Sequence, residues 1–125
     1  MDIKHLTMNM GKDCLIMIKG ILVKPHELPE LIEFKHGYKE MQKLVEGNFE
    51  MPYLFNDVDI VVNEEGKFNG SPPNRFLYYQ GHLVDIIFGN ILIVDTNEDG
   101  ETVSLSDRKI KKYMEVFSSQ HIFLD

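Results

Sequence analysis

Apolar positions change their period several times along the chain, and each change marks an element. Residues 14–23, CLIMIKGILV, are almost wholly apolar and stop before Pro25, which predicts a central strand with Gly20 at a bulge. ELIEF, 30–34, alternates and pairs nearby. In GYKEMQKLVEG the spacing switches: Tyr38, Met41, Leu44 and Val45 share one helical face and Gly47 supplies a stop, predicting a helix over about 38–46. FEMPYLF returns to alternation, with Pro52 favouring an edge, and VDIVV, 58–62, is a strand that delivers the chain into the polar run NEEGKFNGSPPNR, 63–75. Residues 75–79 are briefly extended. LVDIIFGNILIVD, 83–95, admits two readings. One is a hairpin turning on Gly89-Asn90; the other is a short helical or irregular piece followed by a strand at 91–95. TNEDGET turns a second hairpin between ILIVD and VSL. A closing helix spans about 106–118, with Ser104 and Asp107 at capping-box spacing and an apolar stripe of Ile110, Tyr113, Met114 and Phe117.

This order, β-β-α-β-β-β-β-α, predicts an α+β fold: a mainly antiparallel sheet of about five to six strands, with both helices against one face. No repeat or linker interrupts it, so residues 1–125 read as a single domain with 1–12 and 118–125 at its periphery. The apolar and charged fractions, 43% and 26%, are those of an ordinary globular chain. Charge is placed unevenly. Residues 44–106 hold eleven carboxylates against Lys67 and Arg75, a balance of −9; the remainder holds nine against eleven cations, a balance of +2, for −7 in all. An acidic middle argues against direct nucleic-acid binding, which needs Lys and Arg against phosphates. The lone cysteine, Cys14, cannot build a disulfide framework, and suits a reducing cytoplasm and a buried apolar role. No span approaches the roughly 18 apolar residues of a membrane helix. Lys4 and Lys12 precede an apolar stretch in the manner of a secretory signal, but Lys19 interrupts it and no small-residue cleavage site follows.

Candidate chemistry narrows quickly. Asp95, Asn97, Asp99 and Gly100 match the first, third, fifth and sixth positions of a calcium loop, yet its twelfth, a bidentate Glu, is here Ser106. Asp99-Gly100 is a hairpin signal in its own right, so the pattern predicts a turn here. His5, His26, His36, His82 and His121 are scattered, with no two-ligand spacing among them or with Cys14. Glu64 and Glu65 are neighbours that point to opposite faces of an extended chain, which is wrong for a two-carboxylate acid/base pair. An enzyme would need Glu64, Glu65 or His82 to line a cleft. No metal, cofactor or catalytic residue is assigned.

The loop 63–75 remains. Gly66 and Gly70 permit positive φ, and Pro72-Pro73 stiffens the chain. Arg75 is the only arginine before residue 108. Paired with Glu64 or Glu65 it ties the loop's ends together, while Asn63 and Asn74 cap backbone groups at the corners. Alternatively Arg75, Asn74 and Lys67 form a pocket for an anion, or the loop is a rigid recognition tip.

The stretch from Met41 to Tyr79, followed by GNILIVD and VSLSDRKIKKY, resembles a domain-of-unknown-function family of small bacteriophage, plasmid and mobile-element proteins. The shared residues are Gln42 of the helix, Val45, Gly47, Phe49 and Glu50 of the V-x-G-x-[FIY]-E segment it runs into, an N-E-E-G loop at 63–66, and a P-N-R ending at 73–75. The resemblance covers about residues 14–117. It implies a phage or mobile-element origin, with some members beside antirestriction-type genes, and an accessory role in the host cytoplasm; it carries no established activity. Glu50 becomes a further partner for Arg75, and the two motifs close one buried polar network. The expectation is a small acidic, non-enzymatic binding protein acting on a host protein, a defence or regulatory factor. The alternative is sequestration of a nucleotide-like or other anionic small molecule. Either would use Asn63, Glu64, Glu65, Gly66, Lys67, Pro73, Asn74 and Arg75. Open strand edges also make a homodimer compatible with the pattern.

Overall fold

A computed structural model describes residues 16–125. Cys14, His5 and the segment 1–12 lie outside the described residues. Of the strand predicted at 14–23, β1 (Met17–Val23) is observed, and it pairs antiparallel with β2 (Glu30–Lys35). After helix α1 (Tyr38–Val45) come β3 (Phe49–Glu50), β4 (Asp59–Asn63), β5 (Pro73–Tyr79), β6 (His82–Phe88), β7 (Ile91–Thr96) and β8 (Thr102–Val103). Helix α2 (Asp107–Val116) and β9 (His121–Leu124) close the chain. The larger sheet runs β2-β1-β7-β4-β3, with β8 paired to β7; the smaller runs β6-β5-β9. Apart from β5 with β9, the strand pairs are antiparallel, so the α+β expectation holds.

The placement of the helices differs from the expectation. Strands β1, β4 and β7 are apolar on both faces, and alternate residues therefore enter two separate cores. Ile21, Ile60, Ile91 and Ile93 face one core, beneath Tyr113, Phe117 and the small sheet's Leu77, Ile87 and Ile122. Ile18, Val61, Leu92 and Val94 face the other, beneath Met41 and Val45 of α1. The helices thus cover opposite faces of the large sheet rather than one. Runs such as ILIV at 91–94 demand this, because a single covered face would leave Leu92 and Val94 in water.

Three local expectations are corrected in the same way. Strands β6 and β7 flank Gly89-Asn90 but belong to different sheets, so no hairpin forms there. Gly89, at φ +83°, instead turns the chain from the small sheet to the large one, and its amide donates to Pro72 O at 2.9 Å. Gly20 sits in unbroken register opposite Ile32 without a bulge; glycine is required because a Cβ would stand 2.9 Å from Ile93 O. The cap of α2 is Ser106, whose Oγ accepts from Lys109 N at 3.2 Å, while Ser104 Oγ accepts from Lys19 N at 2.7 Å and ties β1 to the segment that leads into α2.

The tail is not peripheral. β9 runs parallel to β5, with Ile122 buried between the sheets at 2% exposure. Four residues of alternating pattern at a chain end are too short to read as a strand until β5 supplies the partner edge.

Candidate functional site

Asn63 ends β4 and is buried. Its Nδ2 donates to Val45 O at 3.2 Å and Glu46 O at 3.1 Å, and its Oδ1 accepts from Glu65 N at 2.7 Å. These carbonyls are the ones that the end of α1 leaves without helical partners. Asn90 adds Nδ2 to Leu44 O at 3.0 Å. Gly47 is needed beside this cap, since a Cβ would lie 2.6 Å from Asn63 Nδ2. The helix stop foreseen at Gly47 is therefore built from three pieces: left-handed Glu46 at φ 65°, Gly47 and Asn63.

Glu64 and Glu65 turn outward and are exposed. The loop folds on its own backbone, with Glu65 O accepting from Phe68 N and Asn69 N. Gly66 lets it pass close to the small sheet, as a Cβ would be 2.7 Å from Phe88 O. Lys67 reaches Asp85 on β6, with Nζ to Oδ1 at 2.6 Å. Pro73 opens β5 opposite Phe88 and is exposed.

Asn74 and Arg75 go inward. Arg75 is only 2% exposed. Its Nε and Nη2 donate to Phe117 O at 3.2 and 2.7 Å, Nη2 donates also to Glu27 O at 2.9 Å, and Nη1 donates to Asn74 O and Oδ1 at 3.1 and 2.7 Å. Asn74 Nδ2 donates in turn to Val23 O at 2.9 Å and Gly89 O at 2.7 Å. The expected pairing of Arg75 with Glu50, Glu64 or Glu65 does not occur; its acceptors are carbonyls and one amide oxygen. Phe117 is the C-cap of α2, so the guanidinium sits at the negative end of that helix. Burial pushes the Arg75 pKa down from its ordinary value, but a guanidinium stays charged in a protein. Among the described residues, every buried side-chain nitrogen and oxygen has a hydrogen-bond partner.

The two ends of the 63–75 run thus do not meet. Asn63 serves α1 on one face of the large sheet, and Arg75 serves α2 on the other. Between the loop and β6 lies a cleft of about 310 Å³. Val62 and Ile87 give it apolar lining, Glu50, Glu64 and the Lys67–Asp85 pair give it charge, and Phe68 stands at its rim, 87% exposed. Glu64 lines this cleft, whereas Glu65 and His82 do not.

A second cluster escaped the sequence reading. Asp57 accepts from Tyr113 Oη and from Lys112 Nζ at 3.1 Å, beside a cleft of about 460 Å³. Burial opposes ionisation of Asp57, but the bonds from Tyr113 and Lys112 outweigh it and hold its pKa below the ordinary value. Burial, reinforced by the Asp57 charge, pushes Tyr113 up. Tyr113 was legible as core at helical spacing; a partner 56 residues away was not.

The 95–106 segment holds the turn that joins β7 to β8. Asn97 Oδ1 accepts from Asp99 N and Glu101 N at 2.9 Å each, and Asp95 is held by Lys109 at 2.6 Å. Among the described residues, no group of three or more His, Cys, Asp or Glu stands close enough to hold a metal ion. No described helix is long and apolar enough to cross a membrane. Residues 18–118 match a protein family described as Domain of unknown function (DUF3846). No curated protein and no solved structure matches the chain.

Proposed function

The chain belongs to the DUF3846 family, and from that premise we propose that it is a small non-enzymatic binding protein of phage or mobile-element origin. Its target is a host protein, a defence or regulatory factor, met in the host cytoplasm. One observation carries the reading. The inward polar residues of the 63–75 run are engaged in capping the chain's own carbonyls, while large apolar side chains stay uncovered, Phe68 of the cleft at 87% exposure and, in the depression adjoining it, Val84 at 54% and Leu83 at 50%. Uncovered apolar surface rimmed by polar groups is the mark of a protein contact. The origin rests on the resemblance of the N-E-E-G and P-N-R motifs.

The competing reading, an anionic small molecule held by Arg75, Asn74 and Lys67, finds those donors already engaged, so the protein partner is better supported. Affinity capture from lysate at low and moderate salt tests the choice, comparing wild type with a Phe68→Ser/Leu83→Ser variant. A partner retained by wild type and lost by the variant is expected; equal retention, or none, sinks the proposal. Thermal shift against nucleotides checks the alternative, since a ligand at 100 times its dissociation constant adds about 2.7 kcal/mol.

A further inference from the structure

Among the described residues, β6 pairs with β5 on one side only, and its last four residues, Asp85 to Phe88, line the 310 Å³ cleft, where Gly66 of the loop passes close to Phe88 O. An open strand edge offers backbone donors and acceptors to any extended chain, and proteins usually blunt such edges with shortness, Lys, Pro or a bulge. The large sheet follows that practice: β3 has two residues, and β2 carries Glu30, Glu33 and Lys35. β6 is seven residues long and has no Lys or Pro; its one carboxylate, Asp85, is engaged by Lys67 and accepts from Ile86 N at 2.8 Å, so that one amide of the strand is already taken. A register shift opposite Leu77 and Tyr78 leaves Val84 without a partner in β5, but the residues on either side remain paired and extended.

The charge of the cleft selects among extended chains. Glu50, Glu64 and Asp85 line it against Lys67 alone, three carboxylates to one cation, for a balance of −2. Glu50 and Glu64 have no ion-pair partner among the described residues. Phe68 of the cleft is exposed, and exposed Leu83 and Val84 line an adjoining depression that shares Lys67, Asp85, Ile86 and Phe88 with it. A helix brings its backbone already satisfied, whereas a strand matches both the free edge and a period of two.

We infer that the cleft beside β6 binds an extended segment of a partner protein, added as a strand to the open edge, in which Lys or Arg alternates with apolar residues. The cationic side chains reach Glu50 and Glu64, and the intervening ones cover Phe68, Leu83 and Val84. This rests on the binding-protein reading above and gives it a partner chemistry.

The test is an array of peptides alternating Lys or Arg with Val, Ile, Leu or Phe, probed with the full chain beside matched Glu-containing peptides. A subset of cationic peptides binds and the Glu counterparts do not; absence of any binder overturns the inference. In solution, the best binder loses affinity about three- to tenfold against Glu50→Gln/Glu64→Gln, as expected for two exposed ion pairs. It loses at least as much when its own backbone amides are N-methylated, and hydrogen exchange at 82–88 slows on binding. Binding indifferent to N-methylation, or protection located away from β6, removes strand addition. A host protein captured through Phe68 and Leu83 but indifferent to the Glu50/Glu64 variant overturns this inference and leaves the proposed function standing. Cationic peptides bound at β6 with no host protein captured give the converse.

Discussion

Replacing Arg75 by Met keeps most of the side chain's volume and stem while removing its charge and all five hydrogen bonds. The carbonyls of Phe117 and Asn74 then lose partners in a buried site, and that of Glu27 in a partly buried one. At roughly 1–2 kcal/mol for each, the lower part of the range for a stranded acceptor because the Glu27 carbonyl is only partly buried, the loss is about 3–6 kcal/mol. A term of opposite sign applies. Arg75 has no carboxylate beside it, so the native state already bears the desolvation of a buried cation, and Met removes that burden, offsetting about 1–2 kcal/mol. The net expectation is destabilisation by about 2–4 kcal/mol, a large share of the roughly 5–15 kcal/mol that holds a domain together. Equilibrium urea unfolding measures it directly. Glu50→Gln, Glu64→Gln and Glu65→Gln serve as internal controls, each expected within about 0.5 kcal/mol of wild type as exposed changes. If Arg75→Met costs less than about 1 kcal/mol, or if a glutamate variant matches it, carbonyl capping is not what Arg75 contributes.

Other variants report on other contacts. Asn63→Ala strips the cap from α1 and should cost about 1–2 kcal/mol by the same urea measurement, and Gly47→Ala should be comparable or worse because its Cβ collides with Asn63 Nδ2. Ile122→Ala, in the supposedly peripheral tail, should cost about 2–5 kcal/mol; a cost typical of a surface site would remove β9 from the core. Lys67→Ala should leave stability within about 1 kcal/mol, since its pair with Asp85 is half exposed. The Asp57–Tyr113 contact predicts a melting temperature that falls at both pH extremes. Asp57 is held low, so its contribution is present above the ordinary aspartate pKa of about 4 and is lost as pH falls through the lower folded value. Tyr113 is held high, so its contribution is present below about 10 and is lost as pH rises through the higher folded value. Asp57→Asn should flatten the acid limb in a melting series; an unchanged limb would show that other carboxylates govern it.

Local signals carried most elements. The periods at 38–45, 59–63 and 107–116 and the Asp99-Gly100 turn needed only neighbours in the chain, and they appear where the pattern placed them. What stayed hidden was set by distance in sequence. Gly89-Asn90 looks the same locally whether it closes a hairpin or passes between sheets, and only the partnership of β6 with β5 decides. β9 is invisible without β5, and the helix faces could not be assigned until the strands were ordered. At the site, Asn63, Asn74 and Arg75 were identifiable as special by type and position. Their partners were not, because a charged residue near carboxylates suggests an ion pair, while the acceptors used are backbone carbonyls, which look alike in any sequence.

The split between Asn63 and Arg75 has a kinetic and cooperative consequence. Helices of eight and ten residues are too short to persist alone in water, where roughly 12–15 are needed. Each has its last turn completed by one end of the same thirteen-residue run, yet they lie in separate cores on opposite sides of the sheet. Loosening that run releases both helix ends at once, so the two faces should open together rather than as independent units. In native-state hydrogen exchange, the amides of α1 and α2 would then share one opening free energy, and Asn63→Ala would speed exchange in α2, a helix it does not touch.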